Sequence, residues 1–365
     1  MVSRHITDPS CTDPGSLEYL LDFVPRVGHA EVSAAQPPYT RRKSTASPKS
    51  NTYLGARGQR LATKYPHARN APTRGVLLRI HHLNCGTLRP PSPRLVNGTG
   101  SLFGRGKCVC HCLLIETDAH LVLVDTGIGN NDIANPAKTL GAEFVWGVHP
   151  DLDPDETAIR QIQRLGYTAG DVRHIVVTHL DIDHTGGLPD FPHATVHVNT
   201  DELAAARGPL TFMERRRYAG ASWAHGPKWA EHRAEGDQWF GFRSVRDLPG
   251  LPAEILLVPL DGHTRGHTGI AIDTGATSGP RWLLHAGDSY DHHNQLAADP
   301  SCPLGLAAFQ YALQSNRSNR LHNVERLREL ATTGTVDIFC AHDPADFDRF
   351  SPLLPAKGIE SVALR

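Results

Sequence analysis

The sequence predicts a mixed α/β domain, on three observations. Short apolar runs at residues 175–177, 282–284 and 336–339 read as buried strands. Two sets of apolar residues, Ala158, Ile159, Ile162, Leu165 and Leu321, Val324, Leu327, Leu330, recur at the spacing of one helix face. Each of the three strand runs is followed closely by His or Asp, so chemistry is expected where strands end.

Taken in chain order, residues 1–74 form a separate block, with Pro37-Pro38, a Ser-rich stretch and no sustained apolar periodicity. Residues 75–365 are expected to form one domain, opening on a strand at residues 76–80. Strands over Cys108–Glu116 and Leu121–Val124, joined by Asp118-Ala119-His120, predict a hairpin. A helix follows, with Asp153 as N-cap, Pro154 at its first position, Glu156 closing a capping box and Gly166 as its stop. The strand at 175–177 comes next, then a strand at 195–198 and a short helix capped by Asn199 and running through Ala206. A helix over 321–330 and a strand over 336–339 close the domain. Between them, residues 207–247 hold Phe212, Tyr218, Trp223, Trp229, Trp239, Phe240 and Phe242 beside Arg215, Arg216 and Arg217. This stretch reads as an insertion. It is either a lid that shapes a substrate pocket, or a satellite element packing its aromatics or contacting a second copy in a homodimer.

The densest chemistry lies in Thr178-His179-Leu180-Asp181-Ile182-Asp183-His184-Thr185-Gly186-Gly187, with four metal-capable side chains in six residues. Imidazole nitrogen and carboxylate oxygen are ligands that Zn, Fe and Mn accept. A helix would present only i,i+3 and i,i+4 neighbours on one face, so the segment is expected to be irregular, with Gly186 and Gly187 supplying turn freedom. Three further candidates occur downstream in strand-end settings: His263 in Gly262-His263-Thr264, Asp288 in Gly287-Asp288-Ser289, and His342 after the last strand.

In these motifs the chain resembles the metallo-β-lactamase superfamily, most closely its glyoxalase II and lactonase-like branch, over about residues 76–345. The matching pattern is H-x-H-x-D-H, then a Gly-His-Thr element, a strand-end Gly-Asp and a late His. Val124-Asp125-Thr126-Gly127 matches the family's V-D-T-G turn, whose Asp supports the site from behind. The resemblance implies an αββα sandwich, two mixed sheets flanked by helices. It also implies a binuclear hydrolase whose bridging hydroxide cleaves an ester, thioester or lactone of a small molecule. One ion would take His179, Asp181 and His263, the other Asp183, His184 and His342, and Asp288 would bridge them. Asp183 would orient the nucleophile and accept its proton, while Tyr290 would donate to the developing oxyanion. His267, His285, His292 and His293 are read as support or surface rather than ligands.

Asp181 departs from the family pattern, standing where most relatives carry a second His. A carboxylate hardens that position, so Fe or Mn join Zn, the family's usual ion, as candidates. It also motivates the alternative of a di-iron or mono-iron redox enzyme, since the related flavodiiron branch carries Glu there. Three carboxylates against two divalent cations leave one positive charge, which favours two ions over one.

Composition bounds the rest. With 365 residues and 39% hydrophobic content the chain can bury a sizeable core. No apolar run approaches the ~18 residues needed to cross a bilayer, and the first 14 residues lack the apolar core of a secretory signal, so a cytoplasmic location is the default expectation. Seven Cys is an odd number, and Cys108, Cys110 and Cys112 alternate along one strand as small buried hydrophobes would. Cys85, Cys302 and Cys340 are read as reduced and structural in the same way. Net charge is −1, yet no Asp or Glu occurs between Glu31 and Glu116. The part of it within residues 1–74 is read as a solvated, disordered extension, or as sequence ahead of the native start. Nucleic-acid contact, with a phosphodiesterase or nuclease activity, ranks third because interleaved aromatics are missing.

Overall fold

The computed structural model describes residues 78–351, apart from residue 219 and residues 244–247; the basic stretch 1–74 lies outside the described residues. Two sheets pack face to face. The first holds six strands in spatial order β1 (Arg79–Leu88), β2 (Cys108–Glu116), β3 (Leu121–Val124), β4 (Val172–Val176), β5 (Thr195–Asn199) and β6 (Lys228–His232). Its first three strands are antiparallel and the rest run parallel from β3 onward. A short ribbon pairs β7 (Gln238–Trp239) with β8 (Phe242–Arg243). The second sheet contains β9 (Ile255–Pro259), β10 (Thr268–Asp273), β11 (Trp282–His285) and β12 (Val336–Phe339), antiparallel except for the parallel β11–β12 pair.

The helices are α1 (Pro93–Val96), α2 (Asn130–Ala134), α3 (Ala142–Val148), α4 (Ala158–Arg164), α5 (Ile182–Thr185), α6 (Thr200–Arg207), α7 (Phe212–Arg217), α8 (Leu304–Leu313), α9 (Arg317–Ala331) and α10 (Pro344–Phe350). Strand alternation sorts side chains into layers. Leu113 and Ile115 of β2 meet Ile255, Leu257, Ile270 and Ile272 between the sheets, while Cys112 and Leu114 turn outward onto Ala158 and Ile162 of α4. Leu256 and Val258 of β9 likewise face Val324, Leu327 and Leu330 of α9. The result is the expected αββα sandwich.

The hairpin of β2 and β3 forms with the predicted bounds. Elsewhere local chemistry corrects the expectations. β1 runs on to Leu88, because its polar positions find partners across the pair: His81 Nε2 lies 2.6 Å from Glu116 and His82 Nδ1 2.8 Å from His111. The helix expected from Pro154 splits into a single 3-10 turn and then α4. Asp153 does cap it, but Glu156 reaches back to β1 instead of closing a box, accepting from Thr87 N at 2.7 Å and Thr87 Oγ1 at 2.7 Å. On α9 the buried face is Val324, Leu327 and Leu330, whereas Leu321 is 41% exposed. All six cysteines among the described residues are free, and all but Cys302 are buried.

The aromatic insertion is largely structural. β6 extends the first sheet, Trp223 and Trp229 pack on the cluster under α4 and α6, and Trp239 and Phe242 join the core beneath α9. Of the seven aromatics in this stretch, Phe212 alone is exposed, at 62%.

Histidines are threaded through the first sheet. His174 Nδ1 lies 2.8 Å from His197 Nε2, and His197 Nδ1 lies 2.9 Å from His232 Nε2. Each contact needs one protonated and one bare nitrogen, so two adjacent rings cannot both be cationic without setting N–H against N–H. Burial pushes His174 down to about 4 and His197 to about 3, and burial with the nearby His285 brings His82 to about 3. Unfolded, these groups titrate near 6.5. The unfolded chain therefore binds their protons first as pH falls, so this part of the stability is intact above about pH 6.5 and drains away toward pH 3–4. Urea midpoints taken with a chelator present should drop between pH 6.5 and 5, below the range in which the carboxylate-raised His184 and His342 alter stability; a midpoint that stays constant would show that these rings take up protons in the folded state.

Candidate metal centre

The strands β4, β9, β11 and β12 each lead directly into a segment that carries metal-capable side chains, and these segments converge. After β4 the chain runs irregularly to Asp181 and then makes the single turn α5, which carries Asp183 and His184. Gly186 and Gly187 take ordinary right-handed backbone angles, so their contribution is space rather than turn freedom. A Cβ at 186 would lie 2.0 Å from Asp132 Oδ2, and one at 187 would lie 2.8 Å from Thr126 O.

Three imidazoles are oriented from behind by acceptors. His184 Nδ1 donates to Asp125 Oδ2 at 2.8 Å and His342 Nδ1 to Val109 O at 2.8 Å. His179 Nδ1 lies 3.0 Å from Thr178 Oγ1, which itself donates to Asp125 Oδ2 at 2.7 Å, so the ring nitrogen donates there. In each ring Nδ1 is thus the backward donor and Nε2 faces inward, where it would offer its lone pair to an ion. Asp125 adopts the left-handed φ of 55° that Asp tolerates, and it also accepts from Thr178 N at 2.7 Å.

Inward, the ligand atoms crowd around Asp288. Its Oδ1 is 3.3 Å from His184 Nε2, and its Oδ2 is 3.1 Å from His342 Nε2, 3.5 Å from His263 Nε2 and 3.7 Å from His179 Nε2. Asp181 Oδ2 approaches His263 Nε2 at 3.1 Å and His179 Nε2 at 3.3 Å, and Asp183 Oδ2 lies 3.6 Å from His342 Nε2. Among the described residues, His179, Asp181, His263 and Asp288 form one group whose ligand atoms lie within 4.8 Å of one another, and His184, Asp288 and His342 form another. Cys110, Asp183 and His342 make a third such group, so the middle cysteine of β2 sits at the edge of the cluster. Only Asp181, Asp183 and His342 keep partial exposure, with side chains 12–14% accessible, and they mark the open side.

The donor set fits divalent cations. His179 Nε2 and Asp288 Oδ1 are buried without a hydrogen-bond partner, a costly arrangement unless a cation completes it. Burial alone would lower His184 and His342, but the nearby carboxylates outweigh it: Asp288 and Asp125 hold His184 well above its usual range, and Asp288 lifts His342 to about 10. The cluster is starved of positive charge.

Three further residues complete this site; Glu202 and Arg217 carried no metal-site signal in the sequence pattern, whereas His267 was read as support. Glu202, fully buried in the first turn of α6, accepts from Leu180 N at 3.0 Å and Gly266 N at 3.0 Å, which clamps the loop after β4 to the loop after β9. Arg217, the last residue of α7, places Nε 3.4 Å from Asp181 Oδ1. Although burial opposes it, Arg217 keeps the Asp181 carboxyl well below the ordinary carboxylate range. His267, set apart from the ligands on sequence grounds, accepts from Asp288 N at 2.9 Å and donates to Leu260 O at 3.0 Å. Gly287 makes that possible, since a Cβ there would lie 2.4 Å from His267 Nε2.

Tyr290 departs from expectation. Its ring is 1% exposed within the core beneath α9, and its hydroxyl donates to Asp346 Oδ2 at 3.3 Å rather than toward the cluster. Two residues beyond Asp288 the chain has already turned back into the core. His285 Nε2 donates across to His111 O of β2 at 2.6 Å, His292 Nδ1 accepts from Asn294 N at 3.3 Å, and His293 pairs with Asp343 at 2.7 Å.

Comparison with known proteins agrees with this architecture. Residues 105–280 match the family model described as the metallo-beta-lactamase superfamily. A probable metallo-hydrolase of Mycobacterium tuberculosis is 41% identical over 281 residues, spanning 76% of this chain and 83% of that protein. An N-acyl homoserine lactonase from a Bacillus species is 27% identical over 232 residues, spanning 64% of this chain and 80% of its own. In three dimensions the chain is similar to an N-acyl homoserine lactone hydrolase solved with N-hexanoyl-L-homoserine at its catalytic metal center. The TM-score is 0.57 at 19% identity, covering 75% of this chain and 97% of that one, and the likeness is one of fold. On the family match and the 41% relative, this chain belongs to the metallo-β-lactamase superfamily and is a metal-dependent hydrolase.

Proposed function

We propose that the protein is a two-metal hydrolase that opens ester, thioester or lactone bonds in a small molecule, with lactones the foremost class. The observation that carries this reading is the position of Asp288, whose two oxygens lie 3.1–3.7 Å from four inward-facing imidazoles drawn from three different loops. His179, Asp181 and His263 would hold one ion, Asp183, His184 and His342 the other, and Asp288 both. Divalent ions held there would bring the pKa of a water to about 7 and withdraw electrons from a carbonyl oxygen. Zinc suits the imidazole-rich set. The lactonase activity of the more distant relatives supports the substrate class.

Asp183 supplies the acid–base function. Its carboxylate lies on the open side, where an entering substrate and its attacking water meet it, and it accepts the proton of that water. The same proton then passes to the leaving oxygen as the acyl–oxygen bond breaks, so that one water is consumed and an alcohol and a carboxylic acid result, the acid giving its proton to solvent at neutral pH. Fixed Nδ1 partners on His179, His184 and His342 keep the inward nitrogens from rotating away during this exchange.

Two measurements test the proposal. A panel of acyl-homoserine lactones, aryl esters, glutathione thioesters, β-lactams and phosphodiesters should reveal lactone or ester turnover, and Asp288→Asn should lower kcat/KM by about a thousandfold or more while the fold persists by circular dichroism. Equal turnover by both proteins would overturn the assignment. Mass spectrometry should find two zinc ions per chain; a chelator should abolish turnover and lower the thermal midpoint, because ions at 100 times Kd add about 2.7 kcal/mol of stability. Stoichiometric iron that cycles with oxygen would instead establish the redox alternative.

A further inference from the structure

Asp181 brings a full negative charge to a position flanked by two imidazoles, His179 and His263, and the structure pairs it with a buried cation. The Arg217 side chain is only 6% accessible, and its Nε faces Asp181 Oδ1 at 3.4 Å while Oδ2 is left toward the two rings. The remaining guanidinium nitrogens are anchored to backbone: one donates to His263 O at 3.1 Å and the other to Leu313 O at 2.7 Å. Its neighbours on α7 are used differently. Arg216 lies over the Phe212 ring and pairs with Glu143, while Glu214 ties α7 to Arg265 at 2.8 Å, on the same loop as His263. The guanidinium thus has a fixed place beside one carboxylate oxygen, held by the loop that supplies a neighbouring ligand.

We infer that Asp181 and Arg217 act as one electroneutral unit at the first metal position, with Arg217 as a positioning residue that cancels the carboxylate charge and turns Oδ2 toward His179 and His263. This rests on the reading of Asp181 as a ligand. Counting charges shows what the pairing achieves. Three carboxylates, two divalent ions and one guanidinium sum to two positive charges; two carboxylates, two ions and a neutral imidazole at residue 181 give the same sum. Arg217 thereby lets a hard oxygen ligand replace an imidazole without changing the charge of the centre. An unmatched guanidinium there would repel an ion, since buried like charges interact strongly.

Zinc retention tests this directly, measured as stoichiometry and affinity against a graded chelator on the full-length protein. Asp181→His should leave Arg217 uncompensated and weaken the first zinc by at least about tenfold, which is about 1.4 kcal/mol. Adding Arg217→Met to that variant should recover most of the loss, to within a few-fold of the parent protein. A double variant no better than Asp181→His, or worse, overturns the inference, because an arginine that merely braces the loop would cost zinc affinity in either background. If Asp181→His fails to fold by circular dichroism, Asp181→Asn with and without Arg217→Met asks the same question with a near-isosteric side chain. A parent protein that binds no zinc would overturn the metal assignment along with the inference, whereas two zincs in the parent and no recovery in the double variant would overturn the inference alone.

Discussion

Three carboxylates gathered around one set of histidines, largely out of water, impose the constraint around which this molecule is organised. Two like charges 4 Å apart repel by about 4 kcal/mol at the effective dielectric of a protein site, so Asp181, Asp183 and Asp288 can share one pocket only if positive charge is delivered to them. Part of it is built in. Arg217 faces Asp181, and four imidazoles turn Nε2 toward the carboxylate oxygens. The upward pull on His184 and His342 shows how much is still lacking, and divalent ions are the natural remainder.

The fold meets this demand by bringing strand ends from both sheets to one edge and cross-linking the loops that leave them. Asp125 ties the end of β3 to Thr178 and His184; Glu202 ties the loop after β4 to the loop after β9. Backbone bonds complete the frame, with His111 N donating to Ala341 O and Ala341 N to Gly287 O, so that the ends of β11 and β12 are fixed to β2. Several glycines exist for this closeness: side chains at Gly186, Gly266 or Gly287 would collide with Asp132, Glu202 or His267. Rigidity of this kind is what a metal centre needs, because ligand geometry must be set before the ion arrives.

What could be read from the sequence was local in character. The spacing His179, Asp181, Asp183, His184 and the strand-end placement of His263, Asp288 and His342 survive any detail of folding, since a strand end points its next few residues at the sheet edge. The hairpin of β2 and β3, the Asn199 cap and the inward face of α9 were legible for the same reason. Long-range pairing was not. Glu156 looked like a capping residue until Thr87 of β1 came within reach, and nothing local to Glu202 distinguishes its clamp from the acids that helix starts favour on electrostatic grounds alone. Tyr290 failed as an inference because two residues of chain suffice to bury a ring, and the partner that claims it, Asp346, lies 56 positions away.

Residues 207–247 show how composition leaves a role open. Their aromatics fitted either a lid or a packing element, and Trp223, Trp229, Trp239 and Phe242 are used for packing, while Arg217 reaches the metal-capable cluster at Asp181 and His263 O. A carboxylate can stand beside two buried imidazoles and a second and third carboxylate only where its countercharge is already in place. The identity of residue 181 and the presence of a helix ending in Arg217 are therefore a single structural decision. Separated from α7, Asp181 would be one negative charge too many; separated from Asp181, Arg217 would be a buried cation competing with the ions the site is built to hold.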